Sequence, residues 1–449
     1  MQRPQGDSLV AARPREGILA AVNPREPLRL RTGWLVAWAI AAAFSAYFCM
    51  YAFRKPFAAA SFPGEVFGIQ LKIALVISQV IGYALSKFIG IRLVSETTRA
   101  RRAVTLLALI SIAELALVAF GLLPPAGQVV AIFCNGLPLG AVWGLVFGFL
   151  EGRRTTELLG AGLSASYIVA SGAVKTIGRS LLDAGVPEVW MPALTGALFF
   201  VPFALAVWAL NRLPPPSSDD VVARVEREPM DGAQRRAFFL RFAPGLIALT
   251  VLYVFVTAYR DFRDNFQAEI FAELGQLDAS AFARSEGLVA ISVLGLLAAI
   301  FLIRDNRRAL LVLHAMMIAG LLLIAASTLL LRAGWIDGMT WMILDGIGLY
   351  LAYVPYGCVL FDRLIAATSV VATSVFMIYV TDAFGYVGSI VVLLVKNFSE
   401  VELSWLDFFV GFSWVTVAVG VLGFVISGVY FARVTRTPSA SATNAGISA

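Results

Sequence analysis

Charge, lysine and histidine are all scarce in this chain of 449 residues. Only 14% of its residues are charged while 59% are hydrophobic, and mean hydropathy is +0.82. Too little polar side chain is present to cover a water-soluble molecule of this length, so the composition excludes that class and points to a polytopic membrane protein. The single histidine, His314, begins an apolar segment, and Cys49, Cys134 and Cys358 lie inside others. They read as packed side chains, and neither a zinc site nor a disulfide framework can be assembled from them. No nucleophile–base pair, nucleotide-binding loop or metal cluster stands out, so the chain reads as no enzyme and as needing no cofactor. Its net charge of +6 would suit nucleic acid. In a membrane chain the excess belongs to cytoplasmic loops instead, and no nucleic-acid partner is expected.

What the sequence has in quantity is long apolar runs. Twelve segments lie near 34–57, 69–92, 103–123, 127–150, 158–182, 189–211, 243–266, 283–303, 309–331, 339–361, 369–395 and 405–432. Each suffices to cross a hydrocarbon core of about 30 Å at about 1.5 Å per residue. Their spacing divides the chain into a disordered cytoplasmic N-terminus (1–33), a first six-helix bundle (34–212), a polar central loop (213–242), a second bundle (243–433) and a disordered tail (434–449). With both termini cytoplasmic, 24 of the 35 basic residues fall in cytoplasmic regions, as the positive-inside rule requires. The expected location is the inner (plasma) membrane, as a multi-pass monomer in the lipid bilayer.

The two halves echo each other. At a constant offset of 206 residues, Tyr47 pairs with Tyr253, Ala52 with Ala258, Phe53 with Tyr259 and Arg54 with Arg260. The fourth segment of each half ends in an acid followed by arginine (Glu151–Arg153, Asp362–Arg363). An all-α integral membrane protein of 12 transmembrane helices, in two pseudo-symmetric six-helix bundles, is the major facilitator architecture. Gly136, Gly140, Gly144, Gly148 and Gly152 keep one face of the fourth segment bare for close packing. Pro355 should bend the tenth.

A charge at mid-bilayer costs on the order of 2.5–3.5 kcal/mol on insertion scales, so each one is partnered or faces a wet cavity. Arg54 lies about 20 residues beyond the inner boundary, with Lys55 beside it; snorkelling at the outer surface is the alternative. Only about 15 apolar residues precede Arg260, which places it at membrane depth, where Asp261 or Asp264 could satisfy it locally. Lys87 and Lys175 lie within the second and fifth segments. Asp382, in the eleventh, is either the partner of an intramembrane cation or a protonatable coupling group. Glu114, in the third, is either a helix-pair contact or a neutral acid, and Asp345 reads as interfacial. Asp264, Glu269, Glu273 and Asp278 read as an acidic outer loop. Tyr51, Tyr259 and Tyr353, with Tyr47, Tyr253 and Tyr356, are amphipathic enough to line a wet cavity.

Arginine stays charged in apolar surroundings, and its planar fork matches the oxygens of phosphate or carboxylate. One such arginine from each half, at equivalent positions, would meet on the pseudo-two-fold axis where such carriers hold substrate. An empty site with unneutralised positive charge resists closing, and a bound anion removes that resistance.

Tyr51-Ala-Phe-Arg54-Lys55-Pro56-Phe57, Tyr253-Val-Phe-Val256 followed by Arg260, Gly82 with Ser86-Lys87-Phe88, and Phe384-Gly-Tyr-Val-Gly388 resemble motifs of the organophosphate:inorganic phosphate antiporters. The resemblance touches four of the twelve segments. It implies that Arg54 and Arg260 bind a phosphorylated anion, supported by Lys55 and Lys87. Pro56 stands where that family has asparagine, Lys175 occupies the helix that carries its histidine, and Asp382 is extra. These departures mark a divergent relative and leave anion exchange and proton symport both open. Two further readings are a proton-coupled carboxylate carrier using Asp382 and a transporter-like sensor of an anionic metabolite.

Overall fold

The computed structural model describes residues 28–151, 153, 155–216, 232–276, 278–368, 374–398 and 403–436. Most of the ends expected to be disordered (1–27 and 437–449) and half of the expected central loop (217–231) lie outside these, while 28–33, expected in the disordered N-terminus, begins a helix. The first half contains α1 (Leu28–Tyr51), α2 (Leu71–Glu96), α3 (Arg99–Leu122), α4 (Pro125–Leu150), α5 (Thr156–Asp183) and α6 (Met191–Asn211). The second contains α7 (Gly232–Asn265), the short α8 (Gln267–Glu273), α9 (Ser280–Phe301), α10 (Asn306–Arg332), α11 (Gly338–Cys358), α12 (Leu360–Thr368), α13 (Ser374–Phe398) and α14 (Trp405–Val434). Between α1 and α2 lie a 3-10 turn, Pro56–Ala59, and a two-stranded hairpin of β1 (Glu65–Val66) and β2 (Ile69–Gln70).

Among the described residues ten helices are long and apolar enough to cross a membrane, and α11 with α12, bent by 53°, adds an eleventh span if the pair is one span. The 26-residue α2 is the twelfth by length. The bend falls at Val359, four residues after Pro355. A second break at Phe242, two residues before Pro244, interrupts α7, because the proline has no N–H to bond the Leu240 carbonyl and its ring clashes with that carbonyl.

Exposed rows such as Leu194, Leu198, Val201, Leu205 and Trp208 on α6 face outward, where lipid solvates them at no cost. Association between helices must then come from close packing and polar contacts. In the first half α2 packs on α4 and α1 on α5 and α6; in the second, α7 lies against α13 and α14, and α10 against α11. At the α2–α4 seam a Cβ on Gly136 would sit 2.5 Å from the Gln79 carbonyl oxygen, and one on Gly140 2.6 Å from that of Tyr83. Only glycine admits that approach. The halves meet where α5 packs on α9 and α2 on α13.

Candidate functional site

Arg54 owes its position to the way α1 ends. Pro56 has no N–H to bond the Ala52 carbonyl and its ring crowds that carbonyl, so the helix tightens into i→i−3 bonds (Ala52 N to Cys49 O, 3.0 Å; Arg54 N to Tyr51 O, 3.0 Å) and stops. The carbonyls left open are captured by two buried amides. Gln79 Nε2 donates to Arg54 O at 3.0 Å, and Asn135 Nδ2 donates to Phe53 O at 2.9 Å and Ala113 O at 3.1 Å. Gln79 also donates to Asn135 Oδ1 at 2.9 Å, which closes the clamp. The Arg54 side chain, in a residue only 3% exposed, sits over the ring of Tyr83 with its guanidinium carbon 3.9 Å from the centroid. Tyr51 lies 6.0 Å away. Among the described residues no carboxylate comes within the 4.0 Å ion-pair distance of Arg54.

Arg260 reaches the same cavity from inside α7. It donates to the Tyr353 hydroxyl at 3.0 Å, stands 4.6 Å from that ring's centroid, and pairs with neighbouring Asp261. Asp261 in turn accepts from Ser389 Oγ at 2.7 Å. Lys87 and Asp382 approach to 3.9 Å across the two halves, and the Tyr253 hydroxyl donates to Asp382 at 2.7 Å. The cavity walls are tyrosine-rich: Tyr47, Tyr51, Tyr83 and Tyr167 from the first half, Tyr253, Tyr353 and Tyr386 from the second. Its free volume is about 80 Å³, room for several waters at ~10–15 Å³ each. With Asp261 counted, Arg54, Lys87 and Arg260 face two carboxylates, a surplus of one positive charge centred on Arg54. A larger groove of about 800 Å³ between α1 and α6 is lined by side chains such as Trp34, Phe48 and Phe199. No charged side chain lines it, so it offers no comparable chemistry.

The structure thus brings together Arg54, Arg260, Lys87, Tyr51, Tyr353 and Asp382. It does not bring the other expected site residues to the cavity. Lys55, past the helix end, turns the other way and pairs with Asp264 at 2.6 Å and Asn265 at 2.9 Å. Lys175 reaches Asp264 at 2.9 Å and Gln267 at 2.5 Å. Tyr259 is buried, with its hydroxyl on Asp345 and Ser413 and its ring stacked on Phe409. Glu114 lies against Gly196 of α6, and no ion pair involves it among the described residues. Two expectations about acids are also corrected. Asp345 is not interfacial but 0% exposed, 3.3 Å from Arg263. Asp264 is not loop surface but a buried ion-pair centre at the end of α7. Gln79, Asn135 and Tyr83 were not singled out from the sequence. Two amides in otherwise apolar helices were the available signal.

Twelve helices in two halves around a polar cavity define a multi-pass membrane protein of the major facilitator fold. Residues 56–434 match the family of unknown function DUF5690, and the chain belongs to that family. No curated protein matches the sequence. Among solved structures, a D-xylose-proton symporter superposes with a TM-score of 0.61 at 13% identity, covering 88% of this chain and 97% of the other. The nucleoside transporter NupG gives 0.56 at 15% identity, with 87% and 98% covered. A bacterial homolog of the human lysosomal transporter Spinster gives 0.55 at 13% identity, with 92% and 98% covered. At these identities the likeness establishes the fold.

Proposed function

We propose that this protein is a secondary active transporter of a small organic anion, working by alternating access between its two halves. The observation that carries this reading is Arg54: a buried guanidinium that lines the central cavity and has no carboxylate partner among the described residues. A buried arginine without a counter-charge favours an anion beside it, and the planar guanidinium of Arg54 matches the oxygens of an oxyanion. Arg260, from the equivalent position of the other half, supplies a second fork, Tyr51 and Tyr353 supply hydroxyls, and Tyr83 supplies a ring face. Solved relatives of the fold named as transporters support the general role. The motif resemblance to organophosphate antiporters supports a phosphorylated anion as substrate. Lys87 is already met by Asp382, which keeps the empty cavity close to neutral and favours symport as much as strict exchange.

The test is phosphate exchange in proteoliposomes: the purified protein is loaded with labelled phosphate and external phosphate or sugar phosphates are added. Efflux driven by the external anion, and lost in both Arg54→Lys and Arg260→Lys, is the expected result. No anion-driven efflux with phosphates or with carboxylates would end the reading.

A further inference from the structure

Among the described residues, the ion pairs between the two halves are all polarised the same way. Lys55, Lys72, Lys87 and Lys175 belong to the first half; their partners Asp264, Glu269 and Asp382 belong to the second. Apart from Lys87–Asp382, these pairs gather at the end of the bundle opposite the chain termini. There Asp264 accepts from Lys55 at 2.6 Å and Lys175 at 2.9 Å, and Ser171 donates to it as well. Gln267 carries the network onward, accepting from Lys175 at 2.5 Å and donating to Glu286 at 2.9 Å. Glu286 binds Arg263 at 2.7 Å, and Arg263 lies 3.3 Å from Asp345, whose other oxygen is held by Tyr259. All the charged members are buried: Asp264 is 8% exposed, Glu286 1%, Asp345 0% and Arg263 1%.

With the halves together, Lys55, Lys175 and Arg263 balance Asp264, Glu286 and Asp345, three charges of each sign. When this end opens, Lys55 and Lys175 leave with the first half. The second half then holds Arg263 alone against three carboxylates, an excess of two negative charges on a surface that was buried. Even in the closed arrangement Glu286 Oε2 has no hydrogen-bond partner, and Asp345 Oδ2 has only its ion-pair contact with Arg263 Nε at 3.3 Å, so each keeps a lone pair for a proton. Gly172 of α5 covers Glu286: a Cβ there would meet the Glu286 Cβ and Cγ at 2.8 Å and the Phe282 carbonyl oxygen at 2.5 Å. Access to the cluster is therefore controlled by the same parting of the halves.

We propose that Asp264, Glu286 and Asp345 form a proton-binding site that loads when the end opposite the termini opens. Opening bares lysines on one face and carboxylates on the other. The first face draws an anion and the second takes up protons, so the two enter together. Proton loading stands on the charge count alone; its use in symport rests on the anion-carrier reading above. The groups facing the cluster are Lys55, Ser171 and Lys175 from the first half, Tyr259 and Arg263 of α7 with Ser413 of α14 behind Tyr259, Gln267 of α8 and Tyr350 of α11, so the count omits no charged side chain paired with the cluster among the described residues.

The experiment follows opening in the absence of any anionic substrate. Glu65 and Asp278, both exposed and on opposite halves, are replaced by cysteine in a background with Cys49, Cys134 and Cys358 changed to alanine. Spin labels at the two sites then report their separation in lipid nanodiscs as pH is lowered. Protons bind the open form more tightly, so acidification should increase the open population, by up to ~10-fold per pH unit for each extra proton bound. Asp345→Asn and Glu286→Gln, which remove no ion pair between the halves, should each raise the open population at neutral pH and flatten its pH dependence. A separation that ignores pH in the labelled parent overturns the proposal without any further variant. So does a pH response unchanged in both neutral variants. Neither outcome touches the Arg54 site, which is tested separately by anion exchange.

Discussion

The guanidinium of Arg54 stands 3.9 Å from the centroid of the Tyr83 ring, and that ring takes the place a carboxylate would occupy beside a buried arginine. A ring face stabilises the cation by about 0.5–2 kcal/mol without neutralising it, so the charge stays available to a ligand. Tyr83→Phe keeps the face and should leave anion affinity within about twofold. Tyr83→Ala should weaken it by ~2- to 30-fold, the range that stacking energy converts to. Titration of anion binding on the two variants checks both.

The amide clamp makes a separate prediction. Asn135→Leu removes the donor to Phe53 O and Ala113 O and the acceptor for Gln79. Buried groups left without partners cost about 1–3 kcal/mol each. The variant should therefore unfold at a lower temperature in detergent, and it should bind anion more weakly, because the carbonyl that positions Arg54 is released.

The α2–α4 seam can be tested with one methyl group. Gly136→Ala places a Cβ 2.5 Å from a backbone oxygen and should cost about 1–3 kcal/mol through overpacking. Gly287→Ala, where nothing lies within 4 Å, should stay within about 0.5 kcal/mol of the parent. Thermal unfolding of the two proteins side by side decides it.

Asp264 serves two lysines, so its loss should be worse than the loss of either. Breaking a buried pair from one side costs about 3–5 kcal/mol, mainly from the charge left behind. Asp264→Asn strands two cations, whereas Lys175→Gln leaves Asp264 still paired with Lys55 at 2.6 Å. The double variant should be less destabilised than the sum of the singles. A strictly additive result in unfolding measurements would contradict the shared lock.

The fold was legible because the spans are long and nearly charge-free, and because the offset of 206 residues repeats the arginine motif in each half. Arg54 and Arg260 were legible for the same reason, together with the cost of placing charge at that depth. Azimuth was not. Sequence gives the depth of Lys55 and Lys175 but not the direction in which they point, and Lys55 follows a helix end where the 3.6-residue period no longer applies. Asp345 read as interfacial because the partner that holds it inside, Arg263, is 82 residues away in the chain. Tyr259 shares the motif of Arg260, but adjacent helical side chains diverge by about 100°, which sends it to Asp345 instead of the cavity.

The most direct measurement of the central claim is ligand-dependent thermal stability of the purified protein against a panel of phosphate, sugar phosphates, dicarboxylates, neutral sugars and nucleosides at constant ionic strength. A ligand at 100 times its dissociation constant stabilises by about 2.7 kcal/mol, ample to detect. The account predicts stabilisation by at least one class of anion, lost in Arg54→Lys and Arg260→Lys, with no effect of the neutral compounds. Stabilisation by a neutral sugar or nucleoside alone, unaffected by replacing Arg54, would contradict it.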